Sequence, residues 1–315
     1  SLCTTTLGPP NLARKRNVNV YNYEYDLQRL YFEYDMPPYA THEIKNVTKS
    51  RRAQGHGALA GKALEPLLPG FDTFAFSVRV ASNISSSDGS SSMASVCGGS
   101  LALMDAGVPM SNAAAGISMG LVTKKVTNQL KTSIADYRLL TDVLGLEDQF
   151  GDMDFKIAGT IKGITAVQMD IKLPGVPLDI LIQAVDIARK ARLHILETMN
   201  QAIEKSRPEL KNHAPKIALR KLEPRDFALL LGPGGQTKRL IEIQSRCDLE
   251  VNFDNSIVEI TAPDNDGLFF FKKKKKNFYY TLCQYAHNNI YLYSFGKGKS
   301  LITDAISLGI RVGDV

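Results

Sequence analysis

No stretch of the 315-residue chain reaches the roughly 18 uninterrupted apolar residues of a membrane-crossing helix. Cysteine is scarce: Cys3, Cys97, Cys247 and Cys283 are scattered at spacings that fit neither a disulfide framework nor a structural zinc site. There is no initiator Met and no secretory leader pattern at Ser1, so we expect a piece of a longer chain. Neither glycine–lysine pattern makes a P-loop. Five residues after Gly232 stands Thr237, and Tyr293 occupies the place where Gly298-Lys299-Ser300 needs an upstream glycine. Excess charge is also small. The formal net charge of +6 falls to about +1 without the run Lys272–Lys276, so basicity alone does not indicate nucleic acid.

What is present reads as about two folded domains, with 44% hydrophobic and 22% charged residues. Residues 1–24 are polar and irregular and read as a tail or linker. Tyr31–Asp35 alternates aromatic and charged residues before Pro37-Pro38, which predicts a strand. A short helix is expected over Ala58–Leu68. A period-two strand follows at Phe74–Val80, and a buried helix of small residues after the serine run that ends at Ser92. Ala113–Val122 reads as a buried strand, Lys124–Tyr137 as an exposed loop or hairpin tip, and Thr165–Leu173 as a strand. Pro177 opens a long helix whose apolar stripe is Leu181, Ala184, Val185, Ala188, Ala191, Ile195 and Met199, with Arg189, Lys190 and Arg192 off the stripe. Residues 206–215 read as a linker. A smaller unit follows, with a strand at Ile217–Leu222, two short helices around Gly232–Gly235, and a hairpin about Asp254-Asn255. Leu268–Phe295 is a biased low-complexity insert, after which Ser300–Ile310 resumes a helical pattern.

Four constellations carry chemistry. In Asp88-Gly-Ser90-Ser91-Ser92, three hydroxyls at a helix start make an anion cradle, or simply a helix cap. Glu147, Asp148, Asp152 and Asp154 crowd beside Lys156. They form either an oxygen-ligand site suited to Mg²⁺ or Mn²⁺, or a solvated acidic turn. Arg51 and Arg52, with His56 between Gly55 and Gly57, suit a phosphodiester, or form an ordinary basic loop. Gly232-Pro233-Gly234-Gly235, with Lys238 behind it, allows close approach of a nucleic-acid backbone, or is a helix–turn–helix corner.

Three strings together resemble polynucleotide phosphorylases: Ser90-Ser-Ser-Met-Ala-Ser-Val-Cys-Gly, Gly151-Asp-Met-Asp-Phe-Lys156 and Gln168-Met-Asp-Ile-Lys172. Leu101–Pro109 and the arginine–histidine segment fit the same family. The resemblance implies an α+β fold, with an RNase PH-like domain (the second of that family's two, of the ribosomal protein S5 domain 2-like type) over residues 25–205. A small KH domain would occupy residues 216–315, with Gly232–Gly235 as its GXXG loop. It implies that Ser90, Ser91 and Ser92 bind inorganic phosphate as co-substrate. Asp148 and Asp154 would be metal-binding and catalytic, and Lys156 catalytic. Arg51, Arg52 and His56 would line the RNA 3′ end, and the GXXG loop with Lys238 would hold single-stranded RNA. Mg²⁺ or Mn²⁺ is the implied ion, and the full-length protein is expected to be a homotrimer without membrane association. Its place would be the mitochondrion or plastid in a eukaryote, the cytoplasm in a bacterium. The implied reaction is reversible 3′-to-5′ phosphorolysis of RNA to nucleoside diphosphates. Rival readings are a non-catalytic exosome-type ring subunit, a tRNA-trimming RNase PH and an RNA-binding fragment.

Overall fold

In β4 (Leu30–Asp35), Phe32 and Tyr34 alternate with charged neighbours, so one face of the strand takes the aromatic rings. The computed structural model describes residues 1–19, 24–44, 51–128, 131–253 and 256–263. It divides into two units, Ser1–Lys211 and a second starting at Asn212.

In the first unit, β1 (Leu2–Gly8), β5 (Ser77–Asn83) and β4 form one sheet in the order β1-β5-β4, with β4 parallel to β5. A hairpin of β2 (Arg14–Asn19) and β3 (Glu24–Gln28) stands beside it in sequence. The second sheet is fully antiparallel, in the order β7-β6-β8-β9. Its strands are β6 (Ala115–Asn128), β7 (Lys131–Thr141), β8 (Met153–Gly159) and β9 (Ile164–Ile171). Helices α1 (Arg51–Leu64) and α2 (Ser91–Asp105) pack together; α1 touches β4 and β9, and α2 touches β1, β5, β6 and β8. The pair therefore lies between the sheets. The long helix α4 (Leu178–Ala202) covers the other face of the second sheet. There Ile180, Ala184 and Ala188 pack on Ile117, Met119, Met153, Phe155 and Ile157. Between β8 and the preceding strand lies the short helix α3 (Gly145–Phe150).

Period two on β8 decides where the chemistry goes. Met153, Phe155 and Ile157 fill the α4 core, so Asp154 and Lys156 project from the opposite face. Asp152, just before the strand, is structural. Its carboxylate accepts from the Thr123 amide at 2.8 Å and the Thr123 hydroxyl at 2.7 Å.

Four expectations need correction. The N-terminal segment is no tail: β1 pairs with β5 from Leu2 to Gly8, a threonine-rich strand that lacks an apolar stripe. Within Lys124–Tyr137, Lys124–Asn128 of β6 pairs with Lys131–Asp136 of β7, so the loop reading gives way to a hairpin ladder. Arg51–Gly57 is the first two turns of α1, so the basic segment is helical despite its glycines. Arg192, off the apolar stripe, is nevertheless buried, at 3% exposure. Helix boundaries elsewhere shift by a few residues.

The second unit runs β10 (Lys216–Lys221), α5 (Pro224–Leu231), a 3-10 turn (Pro233–Gly235), α6 (Gln236–Ser245), β11 (Asp248–Asn252) and β12 (Ile257–Ala262). Its sheet has the order β10-β12-β11, all antiparallel. Leu222, Phe227, Leu230, Ile241, Leu249, Val258 and Ile260 form its core. The insert Leu268–Phe295 and the helical pattern Ser300–Ile310 lie outside the described residues.

Candidate active site

The close seating of α1 on β4 begins the site. A Cβ at Gly57 would lie 3.3 Å from Tyr34 Cβ and 3.4 Å from the Phe32 carbonyl, so a larger residue would push the helix away. With glycine there, His56 meets Tyr34 edge to face, with ring centroids 5.3 Å apart. One turn earlier, Arg52 reaches Asp148 on α3 at 3.6 Å. Arg51 opens the helix and is exposed.

The acidic run separates into distinct jobs. Glu147 accepts from the Leu144 amide at 2.9 Å and closes the start of α3. Asp152 brackets β6, as above. Asp148 and Asp154 instead face the cations Arg52 and Lys156. Asp154 pairs with Lys156 at 2.8 Å, with side chains 11% and 9% exposed. Burial pushes the Asp154 carboxyl above its ordinary range; Lys156 pulls it back, and the charges of Asp148 and Asp170 push it up again. Asp170 on β9 stands directly across the ladder from Asp154; it lies inside the string Gln168–Lys172, which assigns it no role. Period-two alternation with Lys172 was the available signal. Lys172 donates to the carbonyls of Asp148 and Gln149 at 2.6 and 2.8 Å, which secures the end of α3.

The serine run begins α2. Ser90 is the N-cap residue but makes no side-chain capping bond, so capping does not explain these hydroxyls. Ser90 Oγ and Ser92 Oγ are buried without a hydrogen-bond partner, and Ser92 is fully buried. A cleft of about 170 Å³ is lined by Ile84, Ser86, Ser87, Gly89, Ser90, Ser91 and Ala94, together with Ser1. The loop is laced to the start of α3, where the Gly145 amide donates to the Asp88 carbonyl at 3.0 Å and Gly89 bridges Leu144. Tyr34, which carries no motif, places its phenol oxygen 2.6 Å from Ser91 Oγ. The structure thus brings together the serine run, Arg52, His56, Asp148, Asp154 and Lys156. Among the described residues, no group of three or more His, Cys, Asp or Glu side chains is arranged to hold a metal by itself.

In the second unit, Gly232, Gly234 and Gly235 have φ of +63°, +58° and +77°. Gly232 is required twice over, since a Cβ there would overlap the Thr237 hydroxyl. A Cβ on Gly234 or Gly235 would meet nothing within 4 Å, so the loop is open on that side. Lys238 is tied to Glu242 at 3.3 Å, while Arg239 beside it is exposed.

Burial, with the charges of Lys156 and Arg52 added, holds His56 down at about 4 from its ordinary 6.5. An unfolded histidine takes up its proton near 6.5. Between the two values the unfolded chain binds more protons, so stability falls as pH drops through that window. The melting temperature of wild type should therefore drop further than that of His56→Phe from about pH 7 to about pH 5, in buffer without divalent ions. Equal drops would show that His56 titrates normally.

Residues 2–109 match the family described as 3′ exoribonuclease family, domain 1, of the RNase PH type. Among curated proteins, the chain is 45% identical over 259 residues to the polyribonucleotide nucleotidyltransferase of Methylacidiphilum infernorum, covering 82% of this chain and 36% of that protein. It is 45% identical over 266 residues to the mitochondrial polyribonucleotide nucleotidyltransferase 2 of Arabidopsis thaliana, covering 84% and 26%. With the enzyme of that name from Nitratidesulfovibrio vulgaris it shares 43% over 268 residues, covering 85% and 34%. The solved structure of rice (Oryza sativa) Rrp46 aligns with 51% of this chain and 70% of its own at TM-score 0.42 and 13% identity, too slight a likeness to bear on the site. The chain spans about a third of the length of the curated relatives it matches. It carries an RNase PH family domain and is, over more than four fifths of its length, a relative of the polyribonucleotide nucleotidyltransferases.

Proposed function

We propose that the first unit contains the active site of a phosphate-dependent 3′-to-5′ exoribonuclease, corresponding to the second RNase PH-like domain of a polynucleotide phosphorylase. The observation that carries this reading is the convergence on one cluster of a serine-lined helix start, Arg52 and His56, and the buried Asp154–Lys156 pair. Inorganic phosphate and an RNA phosphodiester repel each other, so the site must supply positive charge and N–H or O–H donors. Ser90, Ser91 and Ser92, with the first amides of α2, hold the phosphate. Arg51 and Arg52 hold the terminal phosphodiester, and His56, neutral at pH 7, packs at the RNA 3′ end. A phosphate oxygen attacks the last phosphorus and the bond to the 3′-oxygen breaks. The departing 3′-oxygen takes a proton from a carboxylic acid or a water at the site. The products are a nucleoside diphosphate and an RNA one nucleotide shorter. Because one phosphoryl linkage replaces another, the reaction runs in both directions.

Mg²⁺ or Mn²⁺ fits the residues present. Burial raises the Asp154 carboxyl even with Lys156 beside it, and Asp148 and Asp170 are near carboxylates. One or two protein carboxylates, completed by phosphate oxygens and water, is the ligand set Mg²⁺ takes. Asp148 and Asp154 would hold it, and the ion would offset charge on the transferring phosphoryl group. The second unit is a KH domain in this reading. Its strand–helix–GXXG–helix–strand–strand order and left-handed glycines support that, with Lys238 exchanging Glu242 for a phosphate. A homotrimer is the assembly proposed for the full-length protein. The chain's place would be an organelle in a eukaryote or the cytoplasm in a bacterium.

The direct test incubates the chain with oligo(A), Mg²⁺ and phosphate. ADP is the expected product; AMP would indicate hydrolysis instead, and no nucleotide release would favour an RNA-binding role. In a chain that releases ADP, Asp154→Asn should lower the rate at least ~10²–10³-fold in both directions. Retention of more than about a tenth of the rate in saturating Mg²⁺ would remove Asp154 from that role.

Ser92→Ala deletes a buried hydroxyl that has no partner in the phosphate-free protein. The variant should melt no lower than wild type, since an unsatisfied polar group is a burden. Its KM for phosphate should nevertheless rise by about tenfold or more, a charge-assisted bond being worth roughly 1.5–3 kcal/mol. A rise confined to the KM for RNA would overturn the assignment.

Gly234→Asp should weaken binding of long single-stranded RNA at low salt, by repulsion of phosphates. Gly234→Asn, which meets the same left-handed backbone without the charge, is the control. Equal affinities for the two variants would place RNA elsewhere.

A further inference from the structure

Tyr34 lies outside every motif, yet it touches both halves of the anion end of the site. Its phenol oxygen is 2.6 Å from Ser91 Oγ and also within 3.0 Å of Met36 Sδ, and its ring meets the edge of His56. The Ser91 backbone is fixed from the other side, where Ser95 Oγ donates to the Ser91 carbonyl at 2.9 Å. What remains free at Ser91 is the rotation of one hydroxyl proton.

A hydroxyl has one proton and two lone pairs. At neutral pH most oxygens of inorganic phosphate carry no proton and only accept, so toward one of these Ser91 donates. Ser91 then has to accept in its 2.6 Å contact with Tyr34. Tyr34 is able to donate: burial pushes its phenol up, and the Ser91 bond and the Arg52 charge pull back against that rise, so the proton stays on at neutral pH. The competing acceptor, Met36 sulfur, is weak for either hydroxyl, and it lies 3.6 Å from Ser91 Oγ. The chain of donors Tyr34 O–H to Ser91 O–H to phosphate is self-reinforcing, since each bond polarises the next.

Resting on the phosphorolytic reading, we propose that Tyr34 is the positioning residue of the phosphate site, its phenol donating to Ser91 Oγ and turning the Ser91 proton toward the bound anion. Tyr34→Phe isolates the hydroxyl, because the ring that packs on His56 is kept.

The experiment measures binding of inorganic phosphate to the full chain by calorimetry for wild type, Tyr34→Phe, Ser91→Ala and the double variant, with melting curves alongside. Tyr34→Phe should bind phosphate about three- to tenfold more weakly at an unchanged melting temperature. The double variant should bind no more weakly than Ser91→Ala alone, because Tyr34 acts through Ser91. In the phosphorolysis assay, the KM for phosphate should rise with kcat and the KM for RNA little changed. Unchanged phosphate affinity in Tyr34→Phe, or losses that add in the double variant, overturns the proposal. Tyr34-dependent phosphate binding without ADP release from oligo(A) sinks the phosphorolytic reading and leaves this one standing. ADP release with an unchanged phosphate requirement in Tyr34→Phe does the reverse.

Discussion

A carboxylate and an ammonium set side by side on one strand, each about nine-tenths buried, constrain everything around them. Removing Asp154 and Lys156 from water costs several kcal/mol per ion, and their mutual attraction repays that only in good geometry. Geometry is supplied by β8, which is hydrogen-bonded on both edges, to β6 and β9, and anchored beneath by α4. A strand free on one edge would let the pair drift toward solvent. The apolar side of β8 is therefore part of the machinery: Met153, Phe155 and Ile157 fix the height at which Asp154 and Lys156 stand.

Unsatisfied polar atoms show where the fold gives up stability. Buried groups without partners are uncommon in folded proteins and call for a reason. Ser90 Oγ, Ser92 Oγ and His56 Nδ1 are three of them, and all belong to the cluster around the start of α2 and α1. The two serine hydroxyls have no hydrogen-bond partner among the described residues. His56 stays neutral among Lys156 and Arg52, so it adds an imidazole without adding to the positive charge. The positive charge comes instead from Arg52, three-quarters exposed and paired loosely enough with Asp148 to exchange partners.

Much of this was legible in residue order, for identifiable reasons. The aromatic alternation of β4 and the stripe of α4 follow from burial on one face. The glycines at 232, 234 and 235 announce left-handed backbone, which other residues seldom adopt. The carboxylate–lysine string marks the pair on β8. What stayed hidden depends on contacts distant in sequence. The polar strand β1 exists because β5 offers it an edge, and nothing in Leu2–Gly8 signals that edge. The acidic run looks uniform, yet Glu147 closes a helix and Asp152 holds Thr123, and that division appears once α3 and β6 are in place. Tyr34 reads as an ordinary strand aromatic until Ser91, 57 residues later, arrives beside it. Arg192 sits off the apolar stripe and is buried all the same, with no partner for Nε; nothing in the described structure explains it.

The two halves of the chemistry come from two different sheets. Tyr34 belongs to β4 in the first sheet, and Asp154 and Lys156 belong to β8 in the second. Hydrogen bonds within a sheet cannot set the distance between them. Helix α1 does so, because it touches β4 on one side and β9 on the other. Its small face at Gly57 brings His56 against Tyr34, and its first turn carries Arg52 to Asp148. The same helix that spaces the sheets thus supplies the cation and the imidazole that lie between the serine run and the carboxylates. A change of packing on α1 would therefore alter the separation of Tyr34 and Ser91 from Asp154 and Lys156, because packed elements transmit such shifts.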